Sequence, residues 1–127
     1  MRLSHAPAGV SQRFQHANGG FVIAGDASKT VLIRGVGPAL RDIWGLTTAL
    51  VDPKVEIFNS AEQKIAENDN WAAALAPVFT QVGAYAFTAG SKDAALLVTL
   101  QPGSYTAQLS GVGGTTGEGV AEVYEVP

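Results

Sequence analysis

Short apolar runs broken by glycine, proline and polar clusters set the rhythm of the chain. Phe21-Val22-Ile23-Ala24 is the first clear run, and Lys29-Thr30-Val31-Leu32-Ile33-Arg34 follows across the turn-like Gly25-Asp26-Ala27-Ser28. Both are rich in β-branched residues and too short for good helices, so both predict strands. Lys54 to Asn59 alternates, with Val55 and Ile57 on one face. The polar Ser60-Ala61-Glu62-Gln63 then leads into Lys64-Ile65-Ala66, which predicts a hairpin. Ala94 to Leu100 is apolar almost without interruption and predicts a strand buried on both faces. Gln101-Pro102-Gly103 supplies a turn, because proline presets φ and glycine permits positive φ. Ser104 to Ser110 alternates again, with Tyr105, Ala107 and Leu109 pointing inward. Gly111 to Gly117 predicts a flexible loop, and Gly119 to Val126 the last strand.

Two helical interruptions fit between the strands. Pro38 to Trp44 has proline near its start and Gly45 just past its end, the usual asymmetry of a short helix. Trp71 to Ala76 predicts a second helical turn, stopped by Pro77. About seven to nine short strands with turn signals roughly every ten residues predict an all-β fold: an antiparallel sandwich of jelly-roll character with one or two helical turns. The sandwich is expected over residues 21–127, after a segment or edge strand over residues 1–20. A faint echo, Ala24-Gly25-Asp26 against Ala89-Gly90-Ser91 and Gly-Val-Gly at 35 and 111, falls short of a duplication.

Composition narrows the chemistry. The chain has 127 residues, 46% of them hydrophobic, enough for one domain with a true core. Charged residues are only 15%, so serine, threonine, asparagine, glutamine and glycine must cover the surface, as is common in secreted bacterial modules. The 8 basic and 11 acidic residues give a net charge of −3, and the basic ones are scattered, so no stripe exists to neutralise phosphates and nucleic acid is disfavoured as a partner. With no cysteine, disulfides, thiol nucleophiles and cysteine-ligated metal centres are excluded. No apolar run approaches the roughly 20 residues of a membrane-spanning helix, so membrane insertion is not expected. The first residues lack the apolar core of a signal peptide, and the expectation is a mature form or excised domain carrying an added Met1.

The segment Asp52 to Trp71, "DPKVEIFNSAEQKIAENDNW", together with Leu100 to Val126, resembles the bacterial pre-peptidase C-terminal type of β-sandwich. In that family an Asp-Pro enters a strand, here Asp52-Pro53 and Val55-Glu56-Ile57-Phe58-Asn59. An "Ile-Ala-x-Asn-Asp" follows a turn, here Ile65-Ala66-Glu67-Asn68-Asp69. A "Pro-Gly-x-Tyr" opens a later strand ending in "Ser-Gly", here Pro102-Gly103-Ser104-Tyr105 and Ser110-Gly111. "SKTVLIRGVGPAL", "NDNW", "GSKDAALLVTL" and "YTAQLSGVGGTTG" are similar to modules repeated in large exported bacterial surface proteins, and this likeness runs from about Phe21 onward. The resemblance implies a non-catalytic module, appended to an enzyme or arrayed at the cell surface, in an extracellular setting. Adhesion, binding or spacing is the expected role.

Glu67-Asn68-Asp69-Asn70 has two readings. One is an Asx-rich turn in which Asp69 or Asn70 caps the helix near Trp71. The other is a calcium site, since calcium takes six to eight hard oxygens and loops can supply them. Its ligands would be Asp69, Asn68 and Asn70, with Asp52 the first distant candidate and Asp93 the next; no other cofactor is expected. Gly35-Val36-Gly37 and Gly111 to Gly117 lack the Lys or βαβ setting of a phosphate loop and predict turns or bulges. The two histidines, His5 and His16, have no nucleophile elbow to serve, so no catalytic set is assigned. Trp44, Trp71 and Tyr85 read either as sugar-stacking platforms or as plugs at the ends of a sandwich. Phe58 falls on the outward face of its strand and marks an interface or a covered spot. The expected partners are a polysaccharide or a surface protein. A further alternative is self-association into a filament through the strand near Val10 to Gln15, whose plain counterpart is an edge strand of its own sheet.

Overall fold

The computed structural model describes residues 12–14 and 18–127. Eight strands are described: β1 (Gln12–Phe14), β2 (Asn18–Ile23), β3 (Lys29–Val36), β4 (Pro53–Phe58), β5 (Lys64–Asn68), β6 (Ala94–Leu100), β7 (Gly103–Gly111) and β8 (Val120–Glu125). Two helices interrupt them, α1 (Pro38–Trp44) and α2 (Ala76–Val82). One sheet has the order β1-β8-β3-β6 and the other β2-β7-β4-β5. Every pairing between these strands is antiparallel, and β1 pairs with β8, β2 with β7, β3 with β6 and β4 with β5. The chain is therefore one long antiparallel ribbon rolled into two facing sheets, the jelly roll that the strand pattern predicts. β1 and the first residues of β2 lie within the first twenty residues and belong to the sandwich. His5 and His16 lie outside the described residues.

Alternation decides what lies between the sheets. Phe21, Ile23, Val31, Ile33, Val55, Ile57, Leu96, Leu100, Ala107 and Val123 form one buried cluster, with Ala66, Val98 and Tyr105 packed against it. Each large apolar side chain enclosed there contributes about 1.5–3 kcal/mol relative to exposure. Tyr105 keeps its hydroxyl on the Gln101 carbonyl at 2.7 Å, so its ring is packed while its polar end is satisfied.

A second cluster makes this more than a two-layer sandwich. Leu32, Val36 and Tyr124 project from the other face of β3 and β8, and Phe79, Val82 and Phe87 cover them. α2 and the segment after it thus form a third layer, and β3 is buried on both faces. β6 is buried on both faces only at its start: Ala94, Ala95 and Leu96 are enclosed, but Leu97 is 44% exposed. The third layer stops before it reaches Leu97.

The second helix also departs from expectation. Ala73–Leu75 forms a single 3-10 turn and α2 follows directly, with Pro77 in its first turn. Proline there starts the helix, because the missing N–H is one the first turn leaves free anyway. α1 matches its predicted range, and Gly45, at φ 71°, closes it with bonds to Arg41 and Leu40 carbonyls.

Candidate binding surface

Three charged side chains among the described residues are fully enclosed, and each is engaged by the fold. Arg34 leaves β3 toward the third layer. Its Nε donates to Glu122 Oε1 on the neighbouring β8 at 2.9 Å, and Nη1 donates to the Tyr85 carbonyl at 2.7 Å. Nη2 lies 2.8 Å from the same Glu122 oxygen but off the hydrogen-bond direction, so it adds charge rather than a directed bond. The Tyr124 hydroxyl donates to that oxygen as well, at 2.8 Å. The guanidinium carbon sits 4.1, 4.4 and 4.8 Å from the ring centres of Phe87, Tyr85 and Phe79. Aromatic faces attract a cation, so this cage replaces part of the hydration that burial removes. Sequence reasoning did not single out the pair. The available signal was a charge flanked by apolar residues in each of two strands, Arg34 between Ile33 and Gly35-Val36 and Glu122 between Ala121 and Val123, of opposite sign.

Asp93 is the second hub. Its Oδ1 accepts from the Gly37 and Ala39 main-chain N–H groups at 2.8 and 3.3 Å, which caps α1 from across the fold. Oδ2 accepts from the Ser91 hydroxyl at 2.8 Å, and the Asp93 carbonyl accepts from Trp71 N–H at 3.0 Å. Gly37 is required beside it, because a Cβ there would overlap the Leu50 carbonyl oxygen.

The Glu67–Asn70 stretch is a seam between the two sheets. Glu67 and Asn68 are the end of β5, opposite Glu56 and Val55. Asn68 Oδ1 accepts from Ala95 N–H at the start of β6 at 3.1 Å, and its Nδ2 donates to the Asn70 carbonyl at 3.0 Å. One amide thereby ties an edge of one sheet to an edge of the other. Neither Asp69 nor Asn70 caps a helix: the 3-10 turn has Ala72 at its N-cap with no side-chain cap bond. The chain must first pass Asp93 through Trp71, which displaces the helical turn beyond reach of the Asx side chains.

The side chains around this stretch have contacts of their own. Glu67 turns outward to Lys64, 3.1 Å away, while Asp69 Oδ1 accepts from the Asn70 amide at 3.2 Å. Asp52 is tied through its carbonyl to Val112 N–H at 2.9 Å; its Oδ1 is buried and accepts no hydrogen bond from the described residues. Asp93 serves α1, and no group of three or more His, Cys, Asp or Glu is placed to hold a metal among the described residues.

The aromatic candidates separate. Trp71 stacks on Phe79, packs edge-on against Phe87 and donates its indole N–H to the Ser91 hydroxyl at 3.2 Å, so it plugs the third layer. Phe58 lies half-buried on the outer face of its sheet, in a shallow depression with Asn59, Glu62, Thr106 and Gln108. Nearby, Lys64 bridges Glu56 and Glu67 at 3.2 and 3.1 Å, and these bonds raise its pKa, Glu67 the stronger cause.

Trp44 is different. It ends α1 with 59% of its surface exposed, and its ring packs edge-on against Tyr85 at 5.1 Å, interplanar angle 85°. Ile43 and Val51 are also exposed. One helical turn before Trp44, Arg41 and Asp42 line a groove of about 340 Å³ with Pro38, Val51, Thr88 and Lys92. Tyr85 holds the Arg34 guanidinium through its carbonyl and Asp93 caps the helix, so both members of the aromatic pair are anchored to buried, hydrogen-bonded charges. A fixed aromatic ring beside hydrogen-bonding groups suits a ligand with an apolar face and polar edges.

No family model and no curated protein matches the chain. Among solved structures it is similar to the pre-peptidase C-terminal domain of a collagenase from Bacillus anthracis, with 9% identity and a TM-score of 0.45 over 90% of this chain and 87% of that one.

Proposed function

We propose that the chain is a non-catalytic module of an exported bacterial protein, and that it binds polysaccharide at or outside the cell surface through the α1 face. The observation that carries this reading is Trp44: the most exposed large hydrophobic side chain among the described residues, held on a capped helix against Tyr85. A pyranose ring presents an apolar face that stacks on indole. Arg41, one helical turn before Trp44, lines a groove with Asp42, Thr88 and Lys92, whose polar groups can meet hydroxyl groups. The buried charges support the non-catalytic part, since Arg34, Glu122 and Asp93 are bonded inward and serve the fold. The sequence resemblance, with its implication of an appended or arrayed module, supports the setting.

Affinity electrophoresis through gels containing neutral and acidic polysaccharides tests the reading. The native protein should be retarded on at least one of them. Trp44→Ala should run freely while Phe58→Ala remains retarded. Equal retardation of all three, or none on any gel, would remove the α1 face from the account.

A further inference from the structure

We propose that β6 is a docking edge at which a second copy of this chain adds its own β6. The main chain of β6 shows which groups are open. Val126 N–H donates to the Thr30 carbonyl, so Thr30 turns its main chain toward β8. Thr99, paired with Thr30, therefore turns its N–H and C=O away from β3, and Leu97, paired with Leu32, does the same. Ala95 shares this orientation, and its N–H is met by Asn68. The seam at Asn68 closes the start of the edge and, among the described residues, leaves the outward N–H and C=O groups of Leu97 and Thr99 open.

Natural edges are protected by charge, proline, bulges or cover. β5, the edge of the other sheet on this side, has both charge and irregularity: Lys64, Glu67 and a register shift at Ile57/Phe58. β6 has none of these. Its residues, AALLVTL, include no charge and no proline, its pairing with β3 is regular over its whole length, and it is the longest edge strand described. Leu97 is 44% exposed, although it sits in a strand of high β propensity.

The open groups are self-complementary, which favours a second copy over an unrelated strand. With a two-fold axis at Val98, Leu97 of each copy faces Thr99 of the other, and each such pair exchanges N–H···O=C bonds in both directions. This register uses only the open residues and leaves the Asn68–Ala95 bond intact. It brings Leu97 beside the other copy's Thr99 on the outer face and joins the two β1-β8-β3-β6 sheets into one. The surface is separate from the α1 face, so the two can operate together, and two copies present two Trp44 sites.

The chain lacks cysteine, so single-cysteine variants report cleanly. Val98 falls in a non-hydrogen-bonded pair across the axis, where Cα atoms lie about 4.5 Å apart, within disulfide range. Sedimentation velocity over a concentration series should show the native mass doubling, with a Kd below about 1 mM. Val98→Cys should form a disulfide dimer under mild oxidation in preference to Ser60→Cys, which lies in an exposed turn. Leu97→Lys, and Thr99→Pro, which removes the outward N–H together with the 2.9 Å hydroxyl contact to Thr30, should lose the dimer with the all-β circular dichroism retained, whereas Trp44→Ala should keep it. A native protein monomeric throughout the series overturns the proposal. So does a dimer that survives Leu97→Lys and Thr99→Pro, or equal cross-linking of the two cysteine variants.

Discussion

Glu122→Gln removes the negative charge facing Arg34 while keeping the shape of the side chain. Both partners of this pair are enclosed, at 0% and 1% side-chain exposure. At the observed 2.8 Å and an effective dielectric near 20, attraction between unit charges is roughly 6 kcal/mol. Desolvating the two ions costs several kcal/mol each, so the intact pair is close to balance against apolar side chains of the same volume. Breaking it is not balanced. The guanidinium would keep the Tyr85 carbonyl and the three rings but lose its charge partner, for a cost of about 3–5 kcal/mol. For a domain of this size that is a fall in Tm of roughly 10–20 °C. Urea denaturation followed by circular dichroism reads the cost directly, with m unchanged if only the native state is affected. The double variant Arg34→Met, Glu122→Leu should recover to within about 1 kcal/mol of the native protein, since no buried charge remains. A loss below about 1 kcal/mol for Glu122→Gln would mean that the rings alone sustain the cation. A double variant as poor as the sum of the singles would mean that the pair is not coupled.

Other expectations are as direct. Asp93→Ala should cost about 2–4 kcal/mol in the same assay, because it frees two N–H groups at the start of α1 and the Ser91 hydroxyl together. Gly37→Ala should give little folded protein by near-ultraviolet circular dichroism, as the Leu50 carbonyl occupies the space a Cβ needs. Thermal melts in EDTA and in millimolar calcium should coincide, given that Glu67 Oε1, Asn68 Oδ1 and Asp69 Oδ1 already have protein partners; a rise with calcium that Asp69→Ala abolishes would contradict this. The charge on Lys64 should persist above the ordinary lysine value of 10.5, and its contacts to Glu67 and Glu56 should weaken only as pH rises through the raised pKa. An NMR titration of the Lys64 side chain showing no upward shift would count against it.

The jelly roll was legible because its strands obey simple alternation. Tyr105, Ala107 and Leu109 fall inward as their spacing requires, and Pro38 and Gly45 bound α1 as their backbone preferences dictate. What escaped the sequence depends on pairing between distant segments. Period-two alternation in β3 cannot reveal that Leu32, Arg34 and Val36 meet a third layer, because that layer comes from residues about fifty positions later. Asp93 as the cap of α1 was hidden for the same reason: local cap signals describe neighbours in sequence, and this cap crosses 56 positions. Asn68 looked like part of a turn because asparagine favours turns, yet here its amide joins two sheets. Trp44 and Trp71 were indistinguishable as letters, both beside short helices; only the stacking of Trp71, partly buried against Phe79, and the exposure of Trp44 separate them.

The polysaccharide site proposed on the α1 face can be read residue by residue. Backbone amide shifts in two-dimensional NMR, followed while a soluble polysaccharide that retards the protein is added, test it most directly. Saturable shifts are expected at Arg41 to Gly45, Tyr85 and Thr88 to Lys92, with the outer face around Phe58 and Lys64 unmoved. Shifts confined to Phe58, Thr106 and Gln108, or spread evenly over the domain, would contradict it.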